Sequence, residues 1–332
     1  MTAQPGIALV DRDEDGIDKA FRSDVLAGLK QAHKAIPARW LYDDAGSQLF
    51  EDITSLEEYY PTRSETQILE ARGDEFRRLI GKDRAVVEFG SGSSVKTPLL
   101  LKAIAPAAYV PLDISGDFLR QSSAALARKF PGLPVLPVEA DFMKQVTLPP
   151  EVEEMRKLGF FPGSTIGNMV ARTAVDLLRS MRATLGGTEG ERPLLLIGMD
   201  LVKDVAVLEA AYDDARGVTA EFNLNLARRI NRELNGTIPV DDLVHKAIWN
   251  DDFSRIEMHL EAKCDMDFEV CEQRFSMIAG ETIHTENSHK FSPRSANLLL
   301  LAGGWTPMAR WTDDEDRFSV ILAEASEHRN AP

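Results

Sequence analysis

Two cysteines in 332 residues, Cys264 and Cys271, are too few for a disulfide framework and could form one bridge at most. Nothing else marks the chain for export, so reduced thiols and a cytoplasmic location are expected. Two cysteines and scattered histidines give no metal-ligand spacing, and no metal is expected. Long apolar runs are also missing. The longest, 298–301 and 194–197, are far too short to cross a bilayer. Residues 1–12 lack a basic leader followed by an apolar stretch, so no signal peptide is expected. Positive charge is scarce: 38 Lys and Arg stand against 53 Asp and Glu, a net charge of −15. That deficit argues against a nucleic-acid partner, which basic patches would serve. It leaves open a small cationic or zwitterionic substrate. There is no internal repeat and no low-complexity tract.

What is present is a 44% apolar chain, longer than a typical single domain, so one large domain or two is expected. Residues 1–16 read as a polar lead-in. Helical periodicity runs from Ile17 to Ile36 and stops at Pro37. An aromatic, acidic loop around Trp40–Ser47 precedes a short helix through Leu49, Phe50 and Ile53. A second aromatic loop, 57–63, is broken by Pro61, and Thr62 or Ser64 can cap a helix running to about Ile80. From Arg84 the pattern alternates: strands at 84–89, 107–112, 133–138 and 193–199, with helices near 95–104, 116–129 and 169–185. Phe160 and Phe161 lead into a further turn. This pattern predicts a parallel sheet covered on both faces. After Asp200 come helices at 203–213 and 217–234, then strands at 243–249, 254–262, 267–273 and 280–288. Strict alternation in Arg255–Glu261 marks a half-exposed antiparallel strand. A helix at 292–302 and strands at 306–311 and 317–325 close the chain.

The most informative stretch is Val86-Val87-Glu88-Phe89-Gly90-Ser91-Gly92-Ser93-Ser94-Val95-Lys96-Thr97, a buried strand entering a glycine turn and then a helix. The third glycine of a dinucleotide fingerprint is absent; Val95 stands there, which weighs against a nicotinamide dehydrogenase. Asp113 ends the next strand, where a carboxylate can accept from ribose hydroxyls. Asp141 and Phe142 follow the third strand and offer an acceptor and an aromatic face to a base. One glycine turn is a weak signal, but three such features at successive strand ends are a strong one. Gly90, Ser91, Gly92, Lys96, Asp113, Asp141 and Phe142 form the expected cofactor set. These features, with a closing antiparallel hairpin, are those of a class I S-adenosylmethionine-dependent methyltransferase.

Six ordered segments narrow the resemblance: Trp40–Asp43, Glu58–Arg63, Glu88–Ser93, Leu112–Ser115, Gly163–Asn168 and Arg255–Met258. Together, from about residue 20 to 325, they resemble the L-histidine Nα-methyltransferase family of ergothioneine biosynthesis. The resemblance implies a Rossmann-like doubly wound α/β domain, 64–201 with 290–332. It also implies a second α+β substrate-binding or lid domain, 1–63 with 202–289, and a substrate cleft at their junction. It implies S-adenosylmethionine as cofactor and trimethylation of histidine to hergynine. The partners would be L-histidine and its mono- and dimethyl forms, with no membrane, and the protein a monomer.

By the same resemblance, Asn168 and Tyr212 hold the substrate carboxylate, and Asn168, the Gly163 backbone and Tyr42 orient the amine. Tyr42 and Asn168 are thus the catalytic pair. Tyr59, Glu286 and Ser288 surround the imidazole, while Phe50, Met258, Thr219 and Phe222 shape the pocket. Residue chemistry agrees. A neutral Asn donates to a carboxylate and accepts from an amine. Glu286 and Ser288, two apart on a strand, share a face. Taken alone, Met258 reads as core, Tyr42 and Tyr59 equally as junction packing or substrate contact, and Glu286 as a solvated residue. His284 and His289 read as surface or packing residues, and the cysteines as inert strand residues. Asn287 stands where the family would carry an apolar residue; it should point away from the ring, on a wetter face or an exposed edge.

Two competing readings remain: the same fold acting on another aromatic amino acid such as tryptophan, and a non-catalytic S-adenosylmethionine-binding regulator. An indole offers one donor and no acceptor, which speaks against the first. Intact Asp113, Asn168 and Tyr212 speak against the second.

Overall fold

The computed structural model describes residues 16–92, 96–114, 116–187 and 191–327. The expectations for residues 1–15 and for Ser93 and Ser115 fall outside them. The chain divides into two compact units, one within Pro61–Val202 and Phe291–Pro332, the other within Leu9–Tyr60 and Lys203–Lys290.

The first unit holds a seven-stranded sheet. Numbered along the chain (Ala85–Phe89, Ala108–Asp113, Val138–Glu139, Lys157–Phe161, Leu194–Asp200, Trp305–Thr312, Phe318–Ala325), its strands lie in the order 3-2-1-4-5-7-6. The first five run parallel; Phe318–Ala325 runs antiparallel to Leu194–Asp200, and Trp305–Thr312 runs antiparallel to Phe318–Ala325. Strands Ala85–Phe89, Lys157–Phe161 and Leu194–Asp200 are buried throughout, so they read as continuous apolar runs. Alternation assigns their side chains to two cores. Val87, Phe89 and Ile197 meet Leu177, Leu178 and Met181 of helix Ala171–Leu185. Val86, Leu158 and Leu196 meet Phe76, Leu100 and Leu101. Helices thus cover both faces, and strand order reverses between the first and fourth strands. That reversal opens a crevice at the strands' carboxyl ends, the site where open α/β sheets take their ligands.

The second unit is α+β. A four-stranded sheet runs in the order Lys34–Ala35, Thr282–His289, Arg255–Ala262, Leu243–Asn250. Arg255–Ala262 alternates half-buried and buried along its whole length. Helices Lys19–Leu29, Val205–Tyr212 and Val218–Glu233 share one core with Ile256, Met258 and Leu260 from the strand's inner face.

Several local expectations need correction. The strand expected at 133–138 is reduced to Val138–Glu139 and a single bridge from Val135 to Tyr109. Pro134 and Pro137 lack the N–H groups a longer ladder requires. Pro61 does not break a loop. It sits in the first turn of helix Tyr60–Ala71, where its missing N–H has no partner to lose. Ser64 does not cap that helix; its hydroxyl donates to Asp313 at 2.8 Å. The run to Ile80 is two helices, the second being Gly73–Ile80. The strand expected at 267–273 is a hairpin, Met266–Val270 with Gln273–Met277. Its two turn residues, Cys271 and Glu272, take φ of 48° and 62°. Such turns favour Gly and Asn, so nothing in the residue types announced one. Cys271 therefore lies in a turn rather than a strand, Cys264 lies outside the strands as well, and no disulfide joins them.

Candidate active site

In the first unit the strand Ala85–Phe89 runs straight into Gly90, at φ +73°. A Cβ built on Gly90 would stand 3.4 Å from the Phe142 ring, so the missing side chain lets backbone and ring approach closely. Phe142 is in turn packed edge-on against Phe89 and Phe161 at 6.4 and 6.2 Å between ring centres. The N–H groups of Gly90 and Ser91 donate to the Leu112 carbonyl at 2.9 and 3.1 Å. The Gly92 N–H donates to Asp113 Oδ2 at 3.1 Å. The glycine turn, Asp113 and Phe142 therefore converge at the carboxyl ends of neighbouring strands. Asp141 is exposed, and its Oδ1 accepts from the Met143 N–H at 3.0 Å. A carboxylate for ribose hydroxyls, an aromatic face and a side-chain-free turn fit the adenosyl portion of S-adenosylmethionine.

Lys96 belongs to a different arrangement. Its ammonium donates to Glu65 Oε2 at 2.6 Å, and the same oxygen accepts the Gly163 N–H at 2.8 Å. Glu65 is fully buried and ties the helix after the glycine turn to the loop that carries Gly163. Gly198 makes room for it, since a Cβ there would fall 2.2 Å from Glu65 Oε1. Sequence reading missed Glu65. The signal was a carboxylate on the same helical stripe as Ile68 and Leu69.

Glu88 is the buried carboxylate two residues before Gly90. It accepts from the Thr97 hydroxyl at 2.8 Å and the Tyr109 hydroxyl at 2.6 Å. Burial pushes its carboxyl up to about 8, against the pull of those hydroxyls. Gly163 and Ser164 both take positive φ, +80° and 57°, and the Ser164 hydroxyl accepts the Asp200 N–H at 2.9 Å. Asn168 ends the short turn Thr165–Asn168 that follows and is half-buried.

In the second unit the structure brings together residues from five separate stretches. Tyr42 packs edge-on against Phe50 and Phe222 at 5.4 and 5.3 Å. Phe50 meets Tyr59 at 6.3 Å, and Tyr59 meets Tyr212 at 6.2 Å. Met258 lies directly across from Glu286 in the register of adjacent strands. Thr219 is buried in the first turn of Val218–Glu233, its N–H donating to Asp214 at 2.7 Å. Glu286 and Ser288 are 7% and 4% exposed. A bulge between His284 and Glu286 puts Thr285 out of register and sets the inward phase of both residues.

The electrostatics of this group are set by burial. Glu286 is pushed up to about 7 by desolvation, with Lys290 pulling the other way. Tyr42 is held well above the usual phenol range by burial of its hydroxyl and then by the Glu286 charge, so it stays protonated. The ring as a whole is still 38% exposed. Lys290, to which sequence reading gave no role, donates to the Tyr212 hydroxyl at 2.9 Å and the Ser288 hydroxyl at 2.8 Å. His245 sits behind Tyr212. Its Nε2 donates to the Tyr212 carbonyl at 2.8 Å and its Nδ1 accepts from Asn223 at 2.9 Å, while burial lowers its pKa and keeps it neutral.

On the opposite face of the same strands, Glu257, His259 and His284 lie within 4.8 Å of one another, a cluster that sequence spacing concealed. His259 and His284 stack at 4.6 Å. Glu257 is matched by Arg255 at 2.6 Å, and His284 Nε2 donates to the Glu286 carbonyl at 3.0 Å. Asn287 shares this outer side, pairing in register with Glu257. It does point away from Glu286, but the face is not wetter: its Oδ1 is buried without a hydrogen-bond partner. Along that edge, among the described residues, the strand Lys34–Ala35 pairs only with Ile283 and His284.

A 3-2-1-4-5-7-6 sheet with a glycine turn, an aspartate and an aromatic at successive strand ends defines a class I S-adenosylmethionine-dependent methyltransferase. A family model described as histidine-specific methyltransferase, S-adenosylmethionine-dependent, matches residues 21–325, and the chain belongs to that family of enzymes. The histidine N-alpha-methyltransferase of Mycolicibacterium smegmatis is 40% identical over 315 residues, covering 93% of this chain and 96% of that protein. Its counterpart from Mycobacterium tuberculosis is 40% identical over 316 residues, with the same coverage of 93% and 96%. Ergothioneine biosynthesis protein 1 of Neurospora crassa is 29% identical over 313 residues, 89% of this chain but 34% of that larger protein. Among the described residues no helix is long and apolar enough to cross a membrane.

Proposed function

We propose that this enzyme methylates the α-amine of free L-histidine three times in succession, giving hergynine. The observation that carries the reading is the buried pair Glu286 and Ser288 on one strand face, beside an aromatic group. An imidazole has two nitrogens to satisfy, and this strand offers two polar side chains at the spacing to serve them. Indole would leave one of them unpaired, at a cost of several kcal/mol by the general rule for buried polar groups.

S-adenosylmethionine, when bound, supplies a methyl group already activated by its sulfonium, so the protein's task is alignment rather than acid–base work. Gly90, Ser91 and Gly92 shape its seat, Asp113 takes the ribose hydroxyls, and Phe142 and Asp141 face the base. Tyr212 donates to the substrate carboxylate, as does Asn168, whose side-chain carbonyl and the Gly163 backbone steer the amine. Tyr42, kept protonated, offers its phenol oxygen as an acceptor to the amine N–H. Tyr59 lines the imidazole, and Phe50, Thr219, Phe222 and Met258 set the width around it. Each round requires an unprotonated amine, and the departing proton goes to solvent. The rate therefore rises from acidic to mildly alkaline pH.

The test is product mass on a panel of free amino acids with S-adenosylmethionine. Gain of one, two and three methyl groups on histidine is expected. Gain on another amine alone would overturn the substrate, and cofactor binding without any gain would indicate a regulator.

A further inference from the structure

Lys290 follows the strand Thr282–His289 directly and is 3% exposed. Its ammonium reaches the Tyr212 hydroxyl at 2.9 Å and the Ser288 hydroxyl at 2.8 Å, and lies 4.5 Å from the Tyr212 ring centre. The two hydroxyls are 2.7 Å apart. The three groups close a triangle, and its hydrogens can be counted. An ammonium only donates, and a hydroxyl has one hydrogen to give. Both oxygens therefore accept from Lys290, and one of the two hydroxyl hydrogens is used between them. One hydroxyl hydrogen is left to point elsewhere. If Tyr212 gives it outward, Ser288 must donate to Tyr212, and Ser288 then meets any further ligand as an acceptor.

We propose that Lys290 is a positioning residue that fixes this proton order: Tyr212 donates to the substrate carboxylate, Ser288 accepts from the ring, and histidine is held as an imidazolium against the Glu286 carboxylate. The inference rests on the substrate reading above and adds to it the protonation state of the bound ring. The phenol is the more acidic of the two hydroxyls, so it is the better match for an ionised acceptor. With Ser288 accepting, the nitrogen facing it must carry hydrogen. Glu286, as a carboxylate, accepts from the other nitrogen. Charges then cancel in pairs, Lys290 with the substrate carboxylate and Glu286 with the ring.

The groups facing Glu286 are Lys290 beyond the end of its own strand and the phenol of Tyr42, which in turn faces Tyr59 and Tyr212. Behind the strand, His284 holds its backbone carbonyl. A free imidazole titrates near 6.5. Burial puts Glu286 close to the same point, at about 7. Above that range both have lost their protons, and forming the imidazolium pair must draw one from solvent.

The test uses the full chain saturated with S-adenosylhomocysteine and, as probe, Nα,Nα,Nα-trimethylhistidine, whose quaternary amine cannot titrate. Calorimetry in buffers of different ionisation enthalpy near pH 8 should show uptake of about one proton on binding. Lys290→Met should bind at least about ten-fold more weakly with little proton uptake, and Lys290→Arg should restore both in part. S-adenosylhomocysteine affinity should not move in either variant. Weaker binding with unchanged proton uptake would make Lys290 merely structural and overturn the proposal. Ring-15N spectra of the probe on the unaltered protein need no variant: two protonated nitrogens are expected near pH 8, and one bare nitrogen overturns the proposal. No binding of the probe at all would remove the substrate reading along with it, whereas binding without proton uptake removes the role of Lys290 alone.

Discussion

In the proposed reading, the two units solve recognition with different materials. In the first, the polar work is largely done by main chain: the Gly92 N–H meets Asp113, the Gly163 N–H meets Glu65, and Gly90 clears the way for Phe142. In the second it is done by side chains: five aromatic rings, Glu286, Ser288 and Lys290. Main-chain donors at strand ends come with the fold and suit a ligand shared by a whole enzyme class. Buried, mutually bonded side chains are specific to one ligand, because each leaves an unpaired partner if the wrong molecule enters. The buried carboxylates divide in the same way. Glu88 joins Thr97 to Tyr109 and Glu65 joins Lys96 to the Gly163 backbone in the first unit, while Glu286 faces Tyr42 in the second.

The contrast breaks most visibly if substrate and cofactor affinities cannot be separated. Glu286→Ala should lower histidine affinity by roughly 100-fold, through loss of a charged, desolvated partner. S-adenosylhomocysteine affinity, read by the same calorimetry, should stay within about two-fold. Equal losses of both would end the division of labour. Gly90→Ala is the converse. Its φ of +73° would strain an alanine by about 1–2 kcal/mol, and the Cβ would press on Phe142. Cofactor affinity should fall about ten-fold with trimethylhistidine binding much less affected. A loss confined to the substrate would contradict the assignment.

Glu88 sharpens the comparison through pH. Its carboxyl rises from the ordinary 4.5 to about 8 in the folded protein, so folding takes up a proton between those values. Stability from this group is therefore full below about 4.5, declines as pH rises to about 8, and is flat beyond. Glu88→Gln should flatten the fall in melting temperature by a few degrees between pH 5 and about 8, leaving the smaller share due to Glu286. Parallel curves would sink the assignment. The smallest effect is expected at the hairpin turn of the second unit. Glu272→Gly relieves a φ of 62° and should raise stability by up to about 1 kcal/mol, a gain of a few degrees at most. No gain would mean that the turn is unstrained.

Much of the first unit was legible because its signals are local. A strand, two glycines and an aspartate at the next strand's end lie within 30 residues, and the sheet's alternation repeats the same period. Where proline interrupted the ladder at 134 and 137, or entered a helix at 61, local rules pointed the wrong way or only part of the way. In the second unit, Tyr42, Tyr59, Tyr212 and Glu286 were reached only through resemblance, since no spacing connects them. Lys290 and Glu65 were not reached at all. A buried cation or carboxylate looks, in sequence, like any surface charge until its partners are known.

The sequence by itself determined the alternation of strand and helix, the two-way burial of the central strands and the chemistry of the glycine turn. Those follow from side-chain period and backbone sterics, which act over a few residues. Only the tertiary structure decided the bulge that turns Glu286 and Ser288 inward together, the triangle of Lys290, Tyr212 and Ser288, and the Glu65 bridge. Each depends on hydrogen-bond geometry between segments tens of residues apart, 78 for Lys290 with Tyr212 and 98 for Gly163 with Glu65, where an ångström separates a bond from none.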